Sequence, residues 1–100
     1  MYKLIALYTK PEDPAAFEKY YAEVHRPLVD RIPGLSRLVL NRGMDAPWGA
    51  PPQYYLIAEL HFPDEATFKA AMASPENAAC GKDLRKFAAN IATLMVARES

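Results

Sequence analysis

Leu35-Ser-Arg-Leu-Val-Leu-Asn-Arg42 and Tyr54-Tyr-Leu-Ile-Ala-Glu-Leu-His-Phe62 decide the fold, because they read as two consecutive strands set between two helical stretches. In the second, Leu56, Ala58, Leu60 and Phe62 share one face, while Tyr55, Ile57, Glu59 and His61 share the other. One face is purely apolar and the other mixed. The segment between them, Gly43 to Pro52, holds two Gly, three Pro, Met44 and Trp48, and reads as a loop with an apolar tip.

Working outward toward the N-terminus, Asp13 followed by Pro14 marks a helix start: a capping carboxylate, then a proline whose missing N–H costs nothing in the first turn. Phe17, Tyr20, Tyr21, Val24, Leu28 and Ile32 form an apolar stripe that ends at Pro33-Gly34. Pro27 interrupts the hydrogen-bond ladder at the Glu23 carbonyl and predicts a kink beside His25. Before this helix, Tyr2 to Tyr8 is short and apolar on both faces, as a central strand would be.

Toward the C-terminus, Pro63-Asp64-Glu65 opens a helix carrying Ala66, Phe68 and Met72. Ser74-Pro75-Glu76 breaks it and caps a further helical stretch to about Ala88, and Ile91 to Ala97 closes as a fourth strand. The order β-α-β-β-α-β predicts an α+β, ferredoxin-like domain over residues 1–100, with both helical layers on one face of an antiparallel four-stranded sheet. The opposite face carries too much apolar surface to stand in water. A twofold homodimer would cover it with a second sheet and trap a cavity between the two.

Twelve Lys plus Arg balance twelve Asp plus Glu, with no basic run, so nucleic acid is not an expected partner. The 51% hydrophobic share suits a folded chain, and no stretch is long enough to span a membrane. With Cys80 alone there is no internal disulfide, which fits a cytoplasmic protein. No Gly-rich phosphate loop, Ser/His/Asp elbow or carboxylate-rich metal site can be read, so neither cofactor nor metal is expected.

The segments Tyr8-Thr-Lys-Pro-Glu-Asp-Pro14, Tyr20-Tyr-Ala-Glu-Val-His-Arg-Pro-Leu28, Ile32-Pro-Gly-Leu35, Tyr54 to Leu60 and Ala70-Ala-Met-Ala-Ser-Pro-Glu76 together resemble the EthD-like family of the dimeric α+β barrel superfamily, named for an ethyl tert-butyl ether degradation protein. The resemblance runs nearly end to end. It implies a homodimeric barrel and a pocket between helix and sheet used in small-molecule catabolism or secondary metabolism. The superfamily's activities are diverse, from cofactor-independent monooxygenases to isomerases, cyclases and decarboxylases, so the chemistry is not fixed by the fold.

His25, in His25-Arg-Pro-Leu28, matches the family's His-x-Pro-Leu motif and is a candidate general acid or base. Alternatively it hydrogen-bonds the carbonyl freed by Pro27. Glu59 is a candidate second acid or base on the barrel-facing side of its strand, or else the partner of an arginine such as Arg37 or Arg42. Tyr55, Ile57, Trp48 and Tyr21 are candidate substrate contacts, with Trp48 equally suited to a lid or a dimer contact, and His61 reads as a surface residue. The leading expectation is cofactor-independent isomerase, cyclase or decarboxylase chemistry on a hydrophobic aromatic or lactone-like substrate. The alternative is an accessory protein that binds such a metabolite for a separate oxidase.

Overall fold

Three side chains start the helices. Asp13, Asp64 and Ser74 accept hydrogen bonds from the backbone N–H groups of Ala16, Thr67 and Asn77, three residues on, at 3.1, 2.8 and 3.1 Å. In the computed structural model, which describes all residues from Met1 to Ser100, these caps open α1 (Pro14–Tyr20), α3 (Glu65–Met72) and α4 (Pro75–Ala88). Strands β1 (Tyr2–Tyr8), β2 (Arg37–Arg42), β3 (Leu56–Phe62) and β4 (Ala92–Arg98) form one antiparallel sheet in the order β2-β3-β1-β4. This is the ferredoxin-like βαββαβ arrangement, with β1 central as expected. The sheet remains open in the protomer.

The register assigns the two faces, because residues directly opposite in antiparallel strands point the same way. Ala6 lies opposite Ala58 and Leu94, and Ile5 opposite Glu59 and Met95. The helix-covered face therefore carries Leu4, Ala6 and Tyr8 with Leu56, Ala58, Leu60 and Phe62. It packs in two groups, one around Tyr8, Phe17 and Tyr21 and one around Val29, Ile32, Phe62 and Cys80. The open face carries Lys3, Ile5, Leu7, Val39, Asn41, Ile57, Glu59, His61 and Met95.

After α1, residues Tyr21–His25 form one π-helical turn, closed by the Arg26 N–H on the Tyr21 carbonyl, before α2 (Arg26–Val29). The irregularity falls where Pro27 predicts it, and it corrects the expected stripe. Phe17, Tyr21, His25, Val29 and Ile32 are buried, whereas Val24 is exposed. Residues spaced by four drift roughly 40° per step around a regular α-helix. The wider turn takes up that drift and swings Tyr21, His25 and Val29 onto the sheet.

Two further expectations change. Tyr55 precedes β3 rather than alternating with Ile57 and Glu59. Its N–H bonds the Tyr8 carbonyl at 2.7 Å, and its ring meets Phe17 edge-on at 5.9 Å, on the α1 side. His61, expected at the surface, is buried although it lies on the open face, and its Nε2 bonds Glu59 at 3.0 Å. A Cβ at Gly43 would strike the Tyr54 carbonyl, so glycine is needed where the loop leaves β2. No helix is long and apolar enough to cross a membrane.

Candidate functional site

The inward swing of the π turn puts His25 against α4, where it meets Asp83. His25 Nδ1 lies 2.9 Å from Asp83 Oδ2, and since a carboxylate only accepts, Nδ1 carries the proton and donates. The Tyr20 hydroxyl donates to the other carboxylate oxygen at 2.5 Å. Both partners are deeply buried, His25 at 5% and Asp83 at 8% exposure. The imidazole is also held between rings, with Tyr21 at 5.3 Å and Phe87 at 4.9 Å. Burial lowers the His25 pKa below its ordinary 6.5, and the bond to and charge of Asp83 only partly oppose it. At neutral pH the ring is neutral, protonated at Nδ1, and Nε2 is a free base.

His25 is also part of a cavity wall. A cavity of about 160 Å³ lies between the helices and the sheet, lined by fifteen residues of which twelve are hydrophobic, among them His25, Tyr8, Tyr21, Leu60, Met72 and Cys80. Its size matches a single ring, since an engineered cavity of about 150 Å³ accommodates benzene. Burial pushes the Cys80 thiol up to about 11, so it lines the wall as a protonated, unreactive group. No three His, Cys, Asp or Glu side chains converge to hold a metal ion.

Of the residues singled out in the sequence, this cavity brings together His25 and Tyr21. Glu59 lies across the sheet from it, on the open face. There it accepts from Asn41 Nδ2 at 2.9 Å and His61 Nε2 at 3.0 Å and pairs with Lys3 at 3.5 Å, rather than with an arginine. Desolvation raises its pKa, but the bonds from His61, Asn41 and Lys3 outweigh this and hold the carboxylate below its usual range. Arg42 instead pairs with Glu18 on α1, which also accepts from the Tyr55 hydroxyl. Ile57 faces the open side with Glu59, and Trp48 is 82% exposed on its loop, away from the cavity.

Asp83, Tyr20 and Tyr8 are the parts that sequence reasoning missed as site residues. Asp83 had a signal: it sits beside Leu84 on the stripe made by Cys80, Leu84 and Phe87, where a carboxylate is costly unless partnered.

Fold and site together define a class: a ferredoxin-like α+β protein with a small, half-open cavity walled by a carboxylate-held histidine. Within that class the chain belongs to the EthD family, whose EthD domain matches residues 9–90. An ethyl tert-butyl ether (EthD) family protein from Bacillus halodurans C-125 is 41% identical, with a TM-score of 0.92 over 100% of this chain and 99% of that one. An uncharacterized 11.0 kDa protein from the thcB-thcC intergenic region of Rhodococcus erythropolis is 36% identical over 99% of this chain and 95% of its own length. SnoaB, a cofactor-independent oxygenase from Streptomyces nogalater, shares the fold at 23% identity and a TM-score of 0.66, over 99% of this chain and 94% of its own.

Proposed function

We propose that this EthD-family protein is a small-molecule enzyme that moves protons without a cofactor, as in isomerase, cyclase or decarboxylase chemistry, on a hydrophobic substrate of about one ring. The observation that carries this reading is the buried His25–Asp83 pair at the cavity wall. Asp83 fixes the tautomer and stabilises the imidazolium that forms on proton abstraction. The apolar lining excludes water, and the depressed pKa leaves Nε2 unprotonated at neutral pH.

The test compares the wild type with His25→Ala in turnover of a ring-sized aromatic or lactone-like substrate, read as a pH–rate profile. The wild-type rate is expected to be level through neutral pH and to fall on the acid side below about 6.5, as the base protonates. His25→Ala is expected to lose about a hundredfold or more, the usual contribution of a positioned acid–base group. Turnover unchanged in His25→Ala would end the reading.

Glu59, Ile57 and Met95 belong in this proposal to a twofold contact through the open sheet face rather than to the cavity. The single, unpaired Cys80 suits the reducing cytoplasm. A second reading is a metabolite-binding accessory role, which the mostly apolar lining of the cavity would serve without any chemistry. A binder working by apolar contact would show ligand affinity nearly independent of pH and of His25.

A further inference from the structure

Among the residues that line the cavity, His25, Tyr8 and Tyr21 each carry a side-chain polar atom without a protein partner, and the Asn77 side-chain amide bonds only the Met72 carbonyl, through Nδ2 at 3.3 Å. His25 bonds only through Nδ1, and neither the Tyr8 nor the Tyr21 hydroxyl bonds any protein group. Yet no fully buried polar side-chain atom anywhere in the chain lacks a partner, so Nε2 and both hydroxyls each keep accessible surface. Tyr8 is 1% exposed and Tyr21 4%, and the space both residues line is the cavity. Their rings meet edge-on at 6.0 Å. Burial raises both phenol pKa values, that of Tyr21 to about 12, so both remain neutral donors.

The lining itself has no Lys, Arg, Asp or Glu and its histidine is neutral, so a charged ligand would find no direct ion partner on the wall. A neutral Nε2 accepts and cannot donate, so the donors of the lining are the two hydroxyls and the second N–H of Asn77, and of these only the hydroxyls lie on the rings that meet each other edge-on. We propose that the Tyr8 and Tyr21 hydroxyls form a two-donor cradle for the carbonyl oxygen of a neutral ligand that seats about one ring in the cavity, making small enolisable ketones or lactones the substrate class.

The catalytic half of this rests on the acid–base reading of His25. Nε2 takes a proton from the carbon beside the carbonyl, and the C–H electron pair becomes a C=C bond. The carbonyl π pair moves onto the oxygen in the cradle, and the proton returns from Nε2 to carbon, so nothing is oxidised or reduced.

The probes are cyclohexanone and methylenecyclohexane, which share a shape and differ in the acceptor oxygen, titrated by ¹H–¹⁵N chemical shifts into the wild type, Tyr8→Phe, Tyr21→Phe and the double variant. Losing both hydroxyls is expected to weaken the ketone about tenfold and leave the hydrocarbon unchanged. Ketone binding that survives the double variant, an equal loss for both probes, or no saturable ketone binding to the wild type would overturn the cradle. Deuterium uptake beside the carbonyl in D₂O separates the two readings. Uptake that needs His25 but ignores both tyrosines keeps the base and removes the cradle. Tyrosine-dependent ketone binding without uptake in any form keeps the cradle and removes the base.

Discussion

His25 shows how a single residue's surroundings decide its chemistry. Burial holds its folded-state pKa below the unfolded 6.5, so between those values the unfolded chain binds more protons. Stability is therefore full above about pH 6.5 and falls as pH drops toward the folded value. Thermal melts from pH 7.5 to 5 should show that fall in the wild type and a flatter curve in His25→Asn, which keeps a group able to donate to Asp83 and does not titrate in this range. Asp83→Asn removes the charge that opposes burial, so the acid limb of a His25-dependent rate should move to lower pH. Movement in the other direction would show that Asp83 is not what holds the His25 pKa up. Tyr8→Phe and Tyr21→Phe should leave the melting temperature unchanged or raised, because the hydroxyls they delete make no bond within the protein. The motif around His25 was legible in the sequence, but its partners were not. Asp83 and Tyr20 lie 58 and 63 residues from the groups they meet, and no local pattern reports such a distance. Tyr8 was hidden for another reason: both faces of β1 are apolar, so nothing marked which side its hydroxyl would reach.

Local signals read well at the scale of elements, because caps, prolines and two-residue alternation act through neighbouring backbone groups. Asp13-Pro14, Asp64 and Ser74-Pro75 start helices where the sequence places them, and Leu56 to Phe62 keeps its alternation. The phase of the first helix did not read as well. A regular 3.6-residue period points Val24 and Leu28 inward, whereas the π turn over Tyr21–His25 buries His25 and Val29 instead. Pro27 announced the irregularity but not its geometry. Tyr55 was misplaced because the chain leaves β-alternation one residue before β3 and turns toward Glu18. The turn is therefore the element on which site geometry depends. Deleting the exposed Ala22 should restore a continuous α-helix and shift His25 relative to Asp83 and the cavity, with a lowered melting temperature because Val29 follows the same turn into the core. A His25-dependent rate should then fall about a hundredfold, the scale set by an ångström of misplacement. A rate that stays within about threefold would show that the π turn does not position the base.

For the whole molecule, the two faces of the sheet divide the work. The helix-covered face builds the cavity, and the open face sets Ile5, Leu7, Val39, Ile57 and Met95 around the Lys3–Glu59–His61–Asn41 network. On edge strand β4, Met95 is about half exposed on this open face, beside Ile5, while Leu94 and Val96, also about half exposed, point to the helix-covered side. A second copy related by a twofold axis would cover the open face, and the central position of β1 puts Ile5 in the middle of the proposed contact. Ile5→Asp should then give a monomer by light scattering where the wild type gives a dimer, because the carboxylate would lie beside Glu59 with no cation added to offset it. The cavity lies on the other side of the sheet, so binding of a ring-sized probe should persist in any monomer that stays folded. A dimer that withstands the Ile5→Asp substitution would place the contact elsewhere, with the exposed residues of β4 and Trp48 the next surface to substitute.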